Sequence, residues 1–386
     1  MLLSNSQYKL SGIRLSVTYK LLGNEKDALE KAKDICLEQT VEFPGDIVPE
    51  GFIRDEIVGR IESFEPYDLS ESNSYNAVIS YAIETTANEL TQLLNVIFGN
   101  ISIKPGIRVE EIHLPDSFLA NFKGPRWGRG GIREILKVEG RPLLFTALKP
   151  MGLSAKELAE LAYKFALGGI DIIKDDHGIS NQEFSPFEER LMRCVEAVDK
   201  ANRETGRNTI YVPNITAPSC DIISRAKKAK TEGAGGLLIS PGLTGFDVMR
   251  QIADDDSIAL PIFGHPAFQG SYVMGSNGIS HYALFGQIER LAGADAVIFP
   301  NFGGRFSFSR AECESIAKGT CDSFGHLKSI FPCPAGGMSF SNIPKMVKAY
   351  GNDVILLIGG GLFKHGPDII VNSRYFLDMV CQCKLS

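Results

Sequence analysis

Residues 168–177 read Gly168-Gly169-Ile170-Asp171-Ile172-Ile173-Lys174-Asp175-Asp176-His177. The apolar run behind the glycines is too short for a helix, which predicts a buried strand. It ends abruptly in a lysine, two aspartates and a histidine. Polar groups crowded at the C-terminal end of a buried parallel strand sit where (β/α)8 barrels keep their chemistry.

Outward from this stretch, short apolar runs and helical patterns alternate. The strands are expected at 143–148, 170–174, 209–213, 235–239, 260–264, 295–299, 329–334 and 354–358, with helices such as 154–167, 187–205 and 281–291 between them. Eight strands in roughly 250 residues is the count and length of a TIM barrel. A doubly wound open sheet is the alternative, although no Gly-x-Gly-x-x-Gly follows the first strand. Before Gly124 the order differs: strands at 12–20, 55–64, 75–83 and 107–113, helices at 25–38 and 86–98, with Thr86 and Asn88 as caps of the second helix. That βαββαβ order predicts a ferredoxin-like α+β domain. The expected fold is α/β, with an N-terminal ferredoxin-like domain over 1–123 and a C-terminal barrel over 124–386.

The bulk numbers exclude several classes. With 386 residues, two domains are the natural expectation. A formal charge of -6 without a basic block argues against nucleic acid as a partner. No apolar run approaches a membrane span, and the N-terminus has no signal layout, so a cytoplasmic location is expected. The eight cysteines form no zinc-type CxxC pair and read as reduced thiols.

In a barrel the strand ends share one rim. They present Lys149, then Lys174, Asp175, Asp176 and His177, then Asn214, His265, Asn301 and Arg305, and finally Gly336-Gly337 and Gly359-Gly360-Gly361. Glycine lets backbone N–H groups approach an anion, and the loops after the last two strands are the usual phosphate site of barrels. A phosphorylated substrate is therefore expected, against the plainer reading of tight turns. Burial disfavours an ammonium, so Lys149 and Lys174 are candidates for a base or for modification. Asp176 suits a hard divalent cation, whereas the imidazole of His177 suits softer metals. Asp175 could simply cap the next helix. His113, His281 and His326 lack supporting context and are read as structural.

GGIDIIKDDHGISNQEFSPFEER (168–190) resembles the Gly-Gly-x-Asp-x-x-Lys-Asp-Asp-Glu motif of the ribulose bisphosphate carboxylase (RuBisCO) large chain. FGNISI, TALKPMGLS, Leu243-Thr244-Gly245, PAGGM and LIGGGLFKHGP resemble further segments of that family, in the same order along nearly the whole chain. The resemblance is to the RuBisCO-like, form IV branch. It implies that Lys174 is carbamylated and holds magnesium or manganese with Asp176, and that His177 stands where the family has a third ligand, a glutamate. It implies a proton-handling role for Lys149, an active-site role for His265, and phosphate binding by Gly336, Gly337, Gly360 and Gly361. Glu38 and Asn100 match residues that reach the partner subunit's site, so a homodimer with shared active sites is implied.

The departures have a direction. Met151 replaces a second lysine, Ile298 a strand-six histidine, Pro266 an arginine and Ala335 a serine, and Arg305 lies nearest the mobile-loop lysine. The resemblance then implies one phosphate on the substrate and no carbon fixation. It leaves metal-assisted enolisation of a keto-sugar phosphate or keto-sugar acid phosphate. Decarboxylation of 3-oxo-isoapionate 4-phosphate is preferred, ahead of 5-methylthioribulose-1-phosphate isomerase or a methionine-salvage enolase. A non-catalytic sugar-phosphate-binding or regulatory protein is the alternative of another class. A class II aldolase-like barrel is weaker, because a histidine cluster for zinc is missing.

Overall fold

The computed structural model describes residues 8–68, 73–304 and 306–383. Its strands are β1 (Arg14–Leu22), β2 (Arg60–Pro66), β3 (Ser74–Ala82), β4 (Ile107–His113), β5 (Leu143–Leu148), β6 (Ile172–Asp175), β7 (Ile210–Val212), β8 (Leu237–Ile239), β9 (Ile262–Gly264), β10 (Gly278–Ile279), β11 (Ala296–Pro300), β12 (Phe331–Ala335) and β13 (Ile355–Ile358). They fall into two compact units. One holds the chain up to Phe122 together with Gln269–Gln287 and Phe324–His326; the other holds the remainder.

In the first unit β1 alternates strictly, burying Leu15, Val17, Tyr19 and Leu21 on one face. The buried Tyr19 hydroxyl lies 3.0 Å from that of Tyr81 and donates to the Ile97 carbonyl at 2.8 Å, so its polar tip is satisfied. Helix Glu25–Glu38 is capped by Asn24, whose side chain accepts from the Asp27 amide. It covers the sheet with Ala28, Ala32, Ile35 and Cys36, a helical spacing. The sheet order is β10-β4-β1-β3-β2, with β4-β1-β3-β2 antiparallel throughout. That is the ferredoxin-like arrangement, and β10 adds a fifth strand parallel to β4.

Three local expectations give way. The run 55–64 is a strand only from Arg60, because Ile53–Ile57 forms a π-helical turn. Gly59 marks the break: a Cβ there would lie 2.9 Å from the Cα of Cys36, so the helix crosses too closely for any other residue. Thr86 and Asn88 do not cap the next helix. Ala87 and Asn88 take left-handed backbone, and the helix starts at Leu90. Residues 281–291 wind mostly as a π-helix, Tyr282–Ile288, with a single α turn after it.

In the second unit the order is β7-β6-β5-β13-β12-β11-β9-β8, and the described ladders are all parallel. The two ends meet: the Ile215 amide donates to the Leu238 carbonyl and the Leu238 amide to the Pro213 carbonyl, both at 2.9 Å. The sheet is closed, which excludes the open doubly wound alternative. Phe145, Ile172, Val212, Leu238, Phe263, Ile298, Cys333 and Leu357 fill one buried cluster. Because side chains alternate along a strand, these residues fix which positions face inward at the rim.

Asp171, on the Gly-Gly run, serves the scaffold. Its carboxylate accepts from both Arg141 guanidinium nitrogens at 2.8 and 2.7 Å and from the Leu144 amide at 2.8 Å. Asp295 likewise accepts from the amides of Trp127, Gly128 and Ile262. Burial, opposed by these amides, pushes its carboxyl up to about 6. No described helix is long and apolar enough to cross a membrane.

Replacing one partner of a buried ion pair strands the other charge, at a cost of about 3–5 kcal/mol. Asp171→Asn should therefore lower the chemical-denaturation midpoint by that amount of stability. Glu189→Gln, which breaks only the exposed pair with Arg193, should change it by less than about 1 kcal/mol.

Candidate active site

The alternation on β6 sorts the polar run. Ile172 faces the barrel interior, so Lys174, two residues on, faces it too. Asp175 points the other way, toward helix Phe187–Thr205. There it accepts from Arg190 Nε at 3.1 Å, the Tyr211 hydroxyl at 2.6 Å and the Asn214 amide at 3.0 Å. Asp175 and Arg190 are fully buried. Asp175 is thus an anchor and not a helix cap. Arg190 also donates to the Ser185 and Ser180 carbonyls, both at 2.6 Å. Asn214 Nδ2 donates to the carbonyls of His177 and Ile179 at 3.0 and 2.9 Å. Together they pin the loop that carries His177. Residue reading missed Arg190 and Tyr211; the signal available was the outward parity of Asp175.

Five of the expected residues, Lys149, Lys174, Asp176, His177 and His265, converge on the rim. Lys149 follows Phe145 and Ala147 on the inward face of β5, and its Nζ lies 2.7 Å from Asp176 Oδ2. Asp176 Oδ1 accepts from the Gly178 amide at 3.2 Å and lies 3.4 Å from His177 Nδ1. Burial opposes ionisation of Asp176. The Lys149 hydrogen bond and the Lys174 and Lys149 charges outweigh it, and the carboxyl is held below its usual range. The His177 ring stacks on His265, with centroids 4.3 Å apart and planes within 15°. His265 Nδ1 accepts from the Ala267 amide at 3.2 Å, which places a neutral ring's proton on Nε2. Burial, then the Lys174, His177 and Lys149 charges, hold His265 well below the ordinary histidine value, so the neutral form is favoured.

Lys174 is 2% exposed and donates to the Asp175 carbonyl at 3.1 Å. Burial, opposed by Asp176 and reinforced by Lys149, lowers its amine to about 8. A free-amine fraction is therefore present near neutrality, as attack on carbon dioxide requires. Among the described residues no three Asp, Glu, His or Cys side chains form a ready-made metal group. The Asp176 carboxylate with one further oxygen donor on Lys174 and an imidazole nitrogen does fit a divalent cation in donor chemistry. A carbamate on Lys174 would supply that oxygen.

The glycine loops lie at the ends of β12 and β13. Gly336 and Gly337 have φ of +87° and +67°. A Cβ on Gly361 would lie 2.5 Å from the Met338 carbonyl oxygen, whereas Gly359 and Gly360 face open space. Those two glycines are not required by the fold's own packing, and a ligand's close approach is a reason for them. Arg305 lies outside the described residues. Ile298 is buried in the barrel interior. In the first unit, Asn100 Nδ2 donates to Glu38 Oε1 at 3.1 Å, and Lys104 Nζ lies 3.1 Å from Glu38 Oε2. The Lys104 hydrogen bond, then that of Asn100, hold the Glu38 carboxyl below its usual range.

The family model of the ribulose bisphosphate carboxylase large chain, catalytic domain, matches residues 130–371. The chain belongs to the RuBisCO large-chain family. It is 37% identical over 354 residues to the 5-methylthioribulose-1-phosphate isomerase of Rhodospirillum rubrum, covering 91% of this chain and 92% of that one. It is 34% identical over 370 residues to the 2,3-diketo-5-methylthiopentyl-1-phosphate enolase of Geobacillus thermodenitrificans, covering 92% and 89%. The crystal structure of a RuBisCO-like protein from Rhodopseudomonas palustris is similar to it with a TM-score of 0.86 and 36% identity, covering 97% and 99%.

The depressed Lys174 amine has a signed consequence. Between about pH 8 and 10.5 the unfolded chain binds the proton that the folded chain has lost, so stability rises with pH in that window. Denaturant midpoints of the wild type and Lys174→Met, compared at pH 7 and 9.5 without bicarbonate, should show the wild type gaining on the variant at the higher pH.

Proposed function

We propose that the chain is a cytoplasmic RuBisCO-like enzyme that enolises a monophosphorylated keto sugar and does not fix carbon dioxide. 5-Methylthioribulose 1-phosphate is the favoured substrate. The observation that carries this reading is the contact of Lys149 with Asp176, beside buried Lys174 and a neutral His265, on one barrel rim.

A divalent cation, magnesium or manganese, held by Asp176, His177 and a carbamate on Lys174 would polarise the substrate carbonyl and stabilise an enediolate. Lys149 would move the proton on the neighbouring carbon. General acid–base groups of this kind contribute about 10²–10⁴-fold. His265, with a proton on Nε2, is placed to donate to an oxygen that gains charge. The amides of Gly336, Gly337, Gly360 and Gly361 are suited to the single phosphate. The apolar Met151 and Ile298 leave fewer cations than a second phosphate needs.

Decarboxylation of 3-oxo-isoapionate 4-phosphate, preferred on sequence alone, gives way here to the isomerase. The relatives described above carry isomerase and enolase names, and neither name is that of a decarboxylase. The enolase relative favours a second reading, which shares the same proton abstraction. A homodimer in which Glu38 and Asn100 of the small unit complete the neighbour's site belongs to the same reading.

Purified protein with magnesium or manganese and bicarbonate should isomerise 5-methylthioribulose 1-phosphate, and Lys149→Ala should lose about 10²-fold or more of kcat. Turnover of 2,3-diketo-5-methylthiopentyl 1-phosphate alone would move the assignment to the enolase. Turnover of 3-oxo-isoapionate 4-phosphate alone would restore the decarboxylase. Sugar-phosphate binding with no turnover and no solvent hydrogen exchange would make this a binding protein. Light scattering should give twice the chain mass, and an active monomer would overturn the shared-site dimer.

A further inference from the structure

Both carboxylate oxygens of Asp176 already have a partner. Oδ2 is 2.7 Å from the Lys149 ammonium, and Oδ1 accepts from the Gly178 amide. Lys149 opposes a metal ion twice over: it occupies the ligand, and it shares the ion's sign. Of the two partners in the ion pair, Lys149 is the one free to leave. Its side chain is 38% exposed, whereas that of Asp176 is 15% exposed and held by the loop that Asn214 and Arg190 pin.

We propose that Lys149 is a built-in counter-ion of Asp176 that a divalent cation must displace, so that loading the metal is what releases Lys149 to face the substrate. The proposal rests on the reading of Asp176 as a metal ligand. It adds an order of events: cation first, free base second. An enzyme built this way keeps its proton-moving lysine tied down until the group that stabilises the enediolate has arrived. Lys149 thereby tunes metal affinity as well as touching substrate.

The test is Mn2+ binding by isothermal titration calorimetry at constant pH and bicarbonate, on the full chain. A charge this close biases an ionic equilibrium by about one to three powers of ten. Lys149→Gln should accordingly bind Mn2+ at least about tenfold more tightly than wild type, while Lys149→Arg, which keeps the charge, stays near it. Equal or weaker binding by Lys149→Gln, with binding lost in Asp176→Asn, would overturn the counter-ion and leave the metal site standing. Binding that survives in Asp176→Asn, or is absent from every protein, would overturn both. On the wild type alone, acetylation of Lys149 followed by mass spectrometry should quicken several-fold when Mn2+ is added. An unchanged rate would sink the proposal even if Lys149→Gln failed to fold.

Discussion

The buried pair of Asp175 and Arg190 is the interaction on which the rim depends. Neither side chain is exposed, and the carboxylate also accepts from Tyr211 and the Asn214 amide. A buried charge is tolerable only when paired and hydrogen-bonded. Here the pairing does more than offset burial. It ties β6 to β7 and to the helix that follows β6, and Arg190 and Asn214 then hold the carbonyls of the loop between them. With Asp175 fixed outward, Lys174 has to face inward. Two adjacent residues of one strand thus divide the labour: one holds the structure, and its neighbour is offered to chemistry.

Much of the fold was legible because its signals are local. Helix Glu25–Glu38 announces itself by its cap, its acidic first turn and its apolar spacing, and helix Phe187–Thr205 by its long periodicity and the glycine after it. The eight barrel strands could be counted as apolar runs between glycines. What escaped is what depends on distant partners. Strand β10 spans two residues, and nothing local marks them; they are ordered by pairing with β4. Thr86 and Asn88 have capping side chains, but left-handed backbone at Ala87 and Asn88 moves the helix start to Leu90.

The site was legible to the same extent. Lys149, Lys174, Asp176, His177 and His265 were found as strand-end residues, and the rim brings them together. Their roles within the polar run were not equally visible. Composition gives four charged residues between 171 and 176 without saying that Asp171 faces Arg141, Asp175 faces Arg190 and only Lys174 and Asp176 remain for the rim. Alternation supplies that distinction once one inward residue is known. The stacking of His177 on His265 is a contact across the barrel, and no spacing along the chain encodes it.

The balance of charge at the rim explains why its parts differ so much in character. As it stands, Lys149 and Lys174 face a single carboxylate, Asp176, and a further cation would be unwelcome; His265 is accordingly held neutral, in part by those same lysines. Carbamylation of Lys174 would exchange a cation for an anion and tip the site negative, which a divalent ion could then restore. Met151 and Ile298 add no charge to this balance.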